Sequence, residues 1–273
     1  KIMPHVTVLF SDTPFSPFQG IYRGLDWERF KREYRDHVRL VVSELKPDYL
    51  ALLTEPDTQA RLTGVRELCD PASFAETIRY ALAGLDRGRT RIGAGSGSWS
   101  PPAFVRALAE RTDLDFICLH VYPVSETFVA NVREGARAAH ANGKAVVVDE
   151  AWLYKTLTPG GGGVAASAEV FRLDAYSFWE PLDVQFASLL LKLAAEERIE
   201  LVSFFWSNQI FCYAAYDPDM DRLPYGEFRR RTMRQAWQSM REGRLSGFGE
   251  MLRREAKRAR PQLGPSGRSA GEG

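Results

Sequence analysis

Two glutamates hold the chemistry most worth testing in this chain: Glu55 in Thr54-Glu55-Pro56-Asp57 and Glu150 in Asp149-Glu150-Ala151-Trp152. Each directly follows a short apolar run of the kind that forms a strand. They stand 95 residues apart, which the alternation described below makes three strands. A pair of carboxyl groups brought together can divide an acid–base reaction, one in the protonated form and one ionised. The other strand-end residues are Asp12, then Gly97-Ser98-Trp99, His120-Val121-Tyr122 and Trp206-Ser207-Asn208-Gln209. Aromatic faces stack on the apolar faces of sugar rings, and amide, hydroxyl and imidazole groups read hydroxyls. Together with two carboxylates, this is the inventory for cleaving a glycosidic bond. The lone reading of any one of these residues is ordinary: a helix-cap partner, rim packing, a satisfied core histidine. Their joint occurrence at consecutive strand ends carries the expectation.

The elements that must position these groups follow from hydrophobic periodicity. Apolar or β-branched runs occur at residues 5–11, 49–54, 91–95, 116–122, 145–149 and 201–206. Several are apolar at successive positions, as in parallel strands covered on both faces. Helical stretches lie between them. Asp26 is placed to cap a helix whose apolar face is Trp27, Phe30, Tyr34, Val38, Val41, Val42 and Leu45. Asp70-Pro71 and Ser100-Pro101 each set a capping side chain before a proline at the first helical position. Further helices fit residues 126–141, 182–198 and 228–241. Six strand–helix units imply an α/β protein with a parallel sheet, either open or closed as a TIM (β/α)8 barrel. Six do not close eight, so the barrel reading expects two further units ahead of this chain.

Other signals narrow the function. Gly93, Gly95 and Gly97 lack the spacing and the lysine of a phosphate loop and read as a tight strand end. Gly160 to Gly163 reads as a flexible loop insertion. With four histidines (His5, His37, His120, His140) and no HxH pair, neither a metal centre nor another cofactor is expected. Cys69, Cys118 and Cys212 are odd in number and widely spaced, suggesting small hydrophobes rather than a disulfide framework. A net charge of +1 gives no reason to expect nucleic acid or a membrane surface as partner. No apolar run approaches the roughly 20 residues needed to span a bilayer. Residues 1–250 read as one domain, and residues 251–273, basic and rich in Gly, Pro and Ser toward the end, as a disordered tail. Oligomeric state is not legible; a secreted or periplasmic location is compatible with the composition.

At these motifs the chain resembles the clan A superfamily of retaining β/α-barrel glycoside hydrolases, the cellulase-, galactanase- and mannanase-like enzymes. Its members carry an acid/base glutamate in Asn-Glu-Pro at the fourth strand's end. A His-x-Tyr or aromatic element ends the sixth strand, the nucleophile glutamate the seventh and a tryptophan the eighth. Thr54-Glu55-Pro56, His120-Val121-Tyr122, Glu150 and Trp206 match that order, and the visible strands then become the family's third to eighth. The resemblance implies a retaining β-glycosidase with Glu55 as acid/base and Glu150 as nucleophile, acting on a β-linked carbohydrate. In that mechanism Glu55 is expected to have a raised pKa, and Glu150 to stay ionised through hydrogen bonds such as one from Tyr122. Asp12, Thr54, Trp99, His120, Tyr122, Trp152, Trp206, Asn208 and Gln209 are expected to line the substrate. Thr54 replaces the family's asparagine, which keeps a non-catalytic glycan-binding barrel as the alternative. A lyase or aldolase barrel would need a strand-end lysine or a metal cluster, and Lys155 lies beyond its strand.

Overall fold

The computed structural model describes residues 1–8, 22–155 and 167–259. Asp12 and the run from Gly160 to Gly163 fall outside them. The elements in order are α1 (Trp27–Leu45), β1 (Tyr49–Ala51), α2 (Pro56–Thr63), α3 (Pro71–Leu82), β2 (Arg91–Gly97), α4 (Ala103–Arg111), β3 (Phe116–Val121), α5 (Phe128–Ala141), β4 (Ala145–Ala151), α6 (Ser167–Asp174), α7 (Glu180–Glu196), β5 (Leu201–Val202), α8 (Pro218–Asp221), α9 (Tyr225–Arg241) and α10 (Gly247–Ala259). They fall into two compact units, residues 1–153 with 191–205, and residues 154–190 with 206–273. The single domain read over residues 1–250 is therefore divided.

The first unit holds a five-stranded parallel sheet in the order β1-β2-β3-β4-β5. Parallel strands alternating with helices make this unit α/β, an arrangement consistent with part of a β/α barrel. The expected strand at residues 5–11 is, over its described part, a single parallel bridge from His5 to Ala51. Around it the Val6 amide donates to the Ala51 carbonyl (2.8 Å) and the Ala51 amide to that of Pro4 (3.0 Å). Every residue of β3 is buried, as its unbroken apolar run requires when both faces are covered. Helix α1 starts as read: the Asp26 carboxylate accepts from the Arg29 amide, and Phe30, Tyr34, Val38 and Val42 are buried. Each such side chain contributes about 1.5–3 kcal/mol on leaving water. The Asp70 cap of α3 also forms. That of Ser100 does not, because α4 begins at Ala103 with Pro102 in the cap position.

The sheet continues past its formal strand ends, and this sets the rim. The Gly95 amide reaches the Leu53 carbonyl (3.1 Å), the Ser98 amide that of His120 (2.8 Å) and the Phe205 amide that of Ala151 (3.1 Å). Ser98 Oγ donates to the Tyr122 carbonyl and accepts from the Tyr122 amide. Gly93, Gly95 and Gly97 lie along β2 rather than only at its end, and each is a point of close approach. A Cβ on Gly95 would stand 1.8 Å from the Cys118 carbonyl oxygen, and one on Gly93 2.2 Å from the Phe116 ring.

The second unit has its own core, with Phe171, Tyr176 and Phe228 buried beside Trp206 and Tyr225. Helix α10 carries the fold to Ala259 and buries Met251, so the tail read as disordered from residue 251 is helical over its first part. Its hydrophobic spacing was masked by the density of Arg, Lys and Glu on the other faces. Among the described residues, no helix is long and apolar enough to cross a membrane.

Replacing Gly95 with alanine should cost about 1–3 kcal/mol, because the obstructing atom is backbone and cannot rotate away. Chemical denaturation measures this; a midpoint equal to that of the unaltered chain would contradict the close approach of β2 and β3.

Candidate active site

The site of the first unit is set by an irregularity in one strand pair. Leu119 pairs with Val148, but His120 pairs with Glu150, leaving Asp149 as an extra residue in β4. Successive side chains of a regular strand point to opposite faces; a bulge re-aims them. Asp149 and Glu150 consequently both approach His120. Asp149 Oδ2 lies 3.6 Å from Nε2 of His120, and Glu150 Oε1 lies 3.8 Å from Nδ1.

Glu55 arrives from β1. It stands at the cap position of α2 in the left-handed region, φ 51° and ψ 70°, and its side chain makes no cap hydrogen bond. Such a backbone costs a non-glycine residue on the order of 1 kcal/mol or more. Its carbonyl starts the helix by accepting from the Gln59 amide (3.0 Å), while the carboxylate turns to His120 Nδ1 at 2.8 Å. One oxygen each from Glu55 and Glu150, with a ring nitrogen of His120, lie within 4.8 Å of one another. The two glutamates keep 17% and 25% of their side-chain surface exposed, against 5% for His120 and 0% for Asp149.

Electrostatics follow from this crowding. Burial alone would remove the charge of His120, yet Asp149, Glu55 and Glu150 more than offset it and hold the imidazole well above its usual range. Glu150 is raised chiefly by burial, with Glu55 and Asp149 pushing the same way; His120 and the Tyr122 hydroxyl pull it back. Tyr122 donates to Glu150 Oε1 at 2.5 Å, the bond anticipated from the sequence. Such hydrogen bonds are expected to keep Glu150 ionised; here desolvation outweighs the Tyr122 hydroxyl and raises the glutamate's pKa.

The structure redistributes the expected substrate contacts. Thr54, His120 and Tyr122 are only 3%, 4% and 2% exposed, so the last two act on the carboxylates and Thr54 offers almost no surface. Trp152 is 1% exposed and belongs to the core, not to a stacking platform. Trp99 is half-buried, its indole N–H fixed by Asp57 Oδ2 (2.9 Å) and its ring edge-on to Tyr122 at 5.9 Å. Phe205, not singled out in the sequence, is 41% exposed and meets the Tyr122 ring at 6.4 Å. Its place at the end of an apolar run hid it among core residues.

Trp206, Asn208 and Gln209 belong to the second unit. Trp206 donates its indole N–H to Asp174 Oδ2 (3.1 Å), and Asn208 lies half-buried in a short 3-10 turn. Gln209 is fully buried with its amide given to the Asp174 carbonyl, so reading hydroxyls is not its role. Lys155 is ion-paired with Asp174 and Asp183, all three side chains at most 1% exposed. Lys155 is thus tied to two carboxylates, which speaks against its use as the lysine nucleophile of a lyase or aldolase reading.

No protein-family profile and no curated protein matches the chain. Among solved structures it is similar to CbXyn10B in its native form, at 9% identity and a TM-score of 0.39, over 66% of this chain and 57% of that one. It is similar to an endo-1,4-beta-xylanase from Caldicellulosiruptor owensensis, at 10% and 0.38, over 71% and 64%. A third is a Cellulomonas fimi endo-beta-1,4-mannanase double mutant, at 13% and 0.46, over 78% and 48%. The chain thus spans less than two thirds of the length of each.

Proposed function

We propose that this chain forms the catalytic face of a retaining glycoside hydrolase acting on a β-linked poly- or oligosaccharide, with Glu150 as nucleophile and Glu55 as acid/base. The observation that carries the reading is the approach of the two carboxylates, whose oxygens come within 4.8 Å. Retaining enzymes hold their carboxyl groups about 5–5.5 Å apart, whereas inverting ones leave about 6.5–9.5 Å for a water. The partial burial of both groups beside one imidazole, with Trp99 and Phe205 against the neighbouring Tyr122 ring, supports it further.

In the first step Glu150 attacks the anomeric carbon as the bond to the glycosidic oxygen breaks. Glu55 gives that oxygen its proton, so the leaving sugar departs neutral. Water then attacks the same carbon, Glu55 takes a proton from it, and the bond to Glu150 breaks with the original configuration restored. Tyr122 and His120 both address Oε1 of Glu150, which directs attack through Oε2. His120 Nδ1 fixes Glu55 on the side facing Glu150. Trp99 and Phe205 offer the apolar faces on which a sugar ring would stack. Xylan, mannan, glucan and galactan are all open as substrates.

On the full-length chain, Glu150→Gln should lower kcat on a susceptible polysaccharide by about 10⁴-fold or more. Glu55→Ala should cost about 10²–10⁴-fold there. It should spare cleavage of dinitrophenyl glycosides, whose leaving group needs no proton, and azide should accelerate their turnover. Activity that survives Glu150→Gln sinks the nucleophile assignment.

The pH profile gives a second test. The raised pKa of Glu150 places the acid limb of kcat/KM above the ordinary glutamate range, activity falling as pH drops through it. Tyr122→Phe removes a donor that favours the ionised carboxylate, so the limb should move to higher pH. A limb that stays in place or moves down contradicts the role given to Tyr122.

A further inference from the structure

Behind the carboxylate pair, three side chains converge from separate strands. His5 comes from the segment beside β1, His120 from β3 and Asp149 from the bulge of β4. Asp149 Oδ2 is 3.3 Å from Nε2 of His5 and 3.6 Å from Nε2 of His120, and one ligand atom from each residue lies within 4.8 Å of the others. None of these approaches is a hydrogen bond. Both oxygens of Asp149 and Nε2 of His120 are buried, and no described residue meets them in full hydrogen-bond geometry, although both imidazoles and the Cys118 thiol face Asp149. A buried carboxylate needs a cation, hydrogen bonds or a metal, and here Asp149 has two imidazoles at ion-pair distance without full hydrogen-bond geometry.

Two features select a ligand. Around a tetrahedral ion with bonds near 2.1 Å, neighbouring donors stand roughly 3.4 Å apart, close to the two measured spacings. Glu55 accepts at Nδ1 of His120, 2.8 Å away, the outer contact that fixes a histidine tautomer and turns Nε2 toward a metal. Two imidazoles and one carboxylate suit zinc-class ions better than calcium or magnesium. The thiol of Cys118, two residues before His120 on β3, also faces Asp149.

We propose that His5, His120 and Asp149 form a binding site for one zinc-class divalent ion, seated directly behind Glu55 and Glu150. The ion would neutralise Asp149 and fix the imidazole that holds Glu55. It replaces the proton that the surrounding carboxylates otherwise keep on His120. The assignment does not depend on the glycosidase reading, since its test reads metal and not hydrolysis.

The full-length chain, stripped with chelator, is titrated with ZnCl2 by calorimetry and assayed for bound metal after dialysis. One equivalent is expected, with a rise in Tm. His5→Gln alters a partly exposed ligand and should weaken binding by about 100-fold or more, while His140→Gln, on α5, should leave it unchanged. Co2+ in place of Zn2+ should give the intense visible absorption of a four-coordinate centre. Sub-stoichiometric zinc, or binding indifferent to His5→Gln, overturns the proposal. If His5→Gln does not fold, the Co2+ spectrum of the unaltered chain decides: a weak six-coordinate spectrum overturns it too.

Discussion

One imidazole facing three carboxylates is the constraint around which this site is arranged. His120 is almost entirely buried, and within 4 Å of its ring nitrogens lie oxygens of Glu55, Asp149 and Glu150. Negative charge so crowded and so dry is unfavourable unless a cation sits in it. The local distortions of the chain serve that meeting. The extra residue in β4 brings two consecutive acids to the same ring, and the left-handed backbone at Glu55 frees its side chain from capping α2. Strain of this kind is held in place by surrounding structure that leaves no alternative. Here that structure is the parallel sheet and the glycines of β2, which let β3 come close.

In the proposed mechanism the same crowding separates the two glutamates in role. Glu150 is the more firmly held, with a phenol hydroxyl and an imidazole on one oxygen, yet burial raises it. A carboxylate that ionises with difficulty is a better nucleophile once ionised, and its donors keep it oriented without quenching the second oxygen. Among the described residues the Glu55 carboxylate is anchored at His120, which suits a group that in the proposed mechanism gives up and regains a proton within one turnover.

Much of this arrangement was legible in the sequence, and the limits have physical causes. The strands announced themselves by apolar runs, and α1 and α3 by Asp26 and Asp70, because those signals are local. The glutamates stood out because both ended strands. What escaped depended on pairing between distant segments. No spacing rule shows that β4 gains a residue opposite Leu119, so Asp149 read as a neighbour of Glu150 rather than as a partner of His5 and His120. Trp152 looked like a rim aromatic when it is core. Gln209 looked like a reader of hydroxyls when its amide holds the Asp174 carbonyl. The division into two units was equally hidden, since α7 runs through the boundary as one uninterrupted helix.

The central claim is that Glu150 forms a covalent bond to the sugar. The most direct measurement is trapping on the full-length chain with activated 2-deoxy-2-fluoro β-glycosides of the cellobiosyl, xylobiosyl and mannosyl series, followed by peptide mass spectrometry. The account predicts time-dependent inactivation with one fluorosugar per chain, on the peptide that contains Glu150. A label on Glu55 or on another residue, or hydrolysis of natural substrate with inversion at the anomeric carbon, would contradict it.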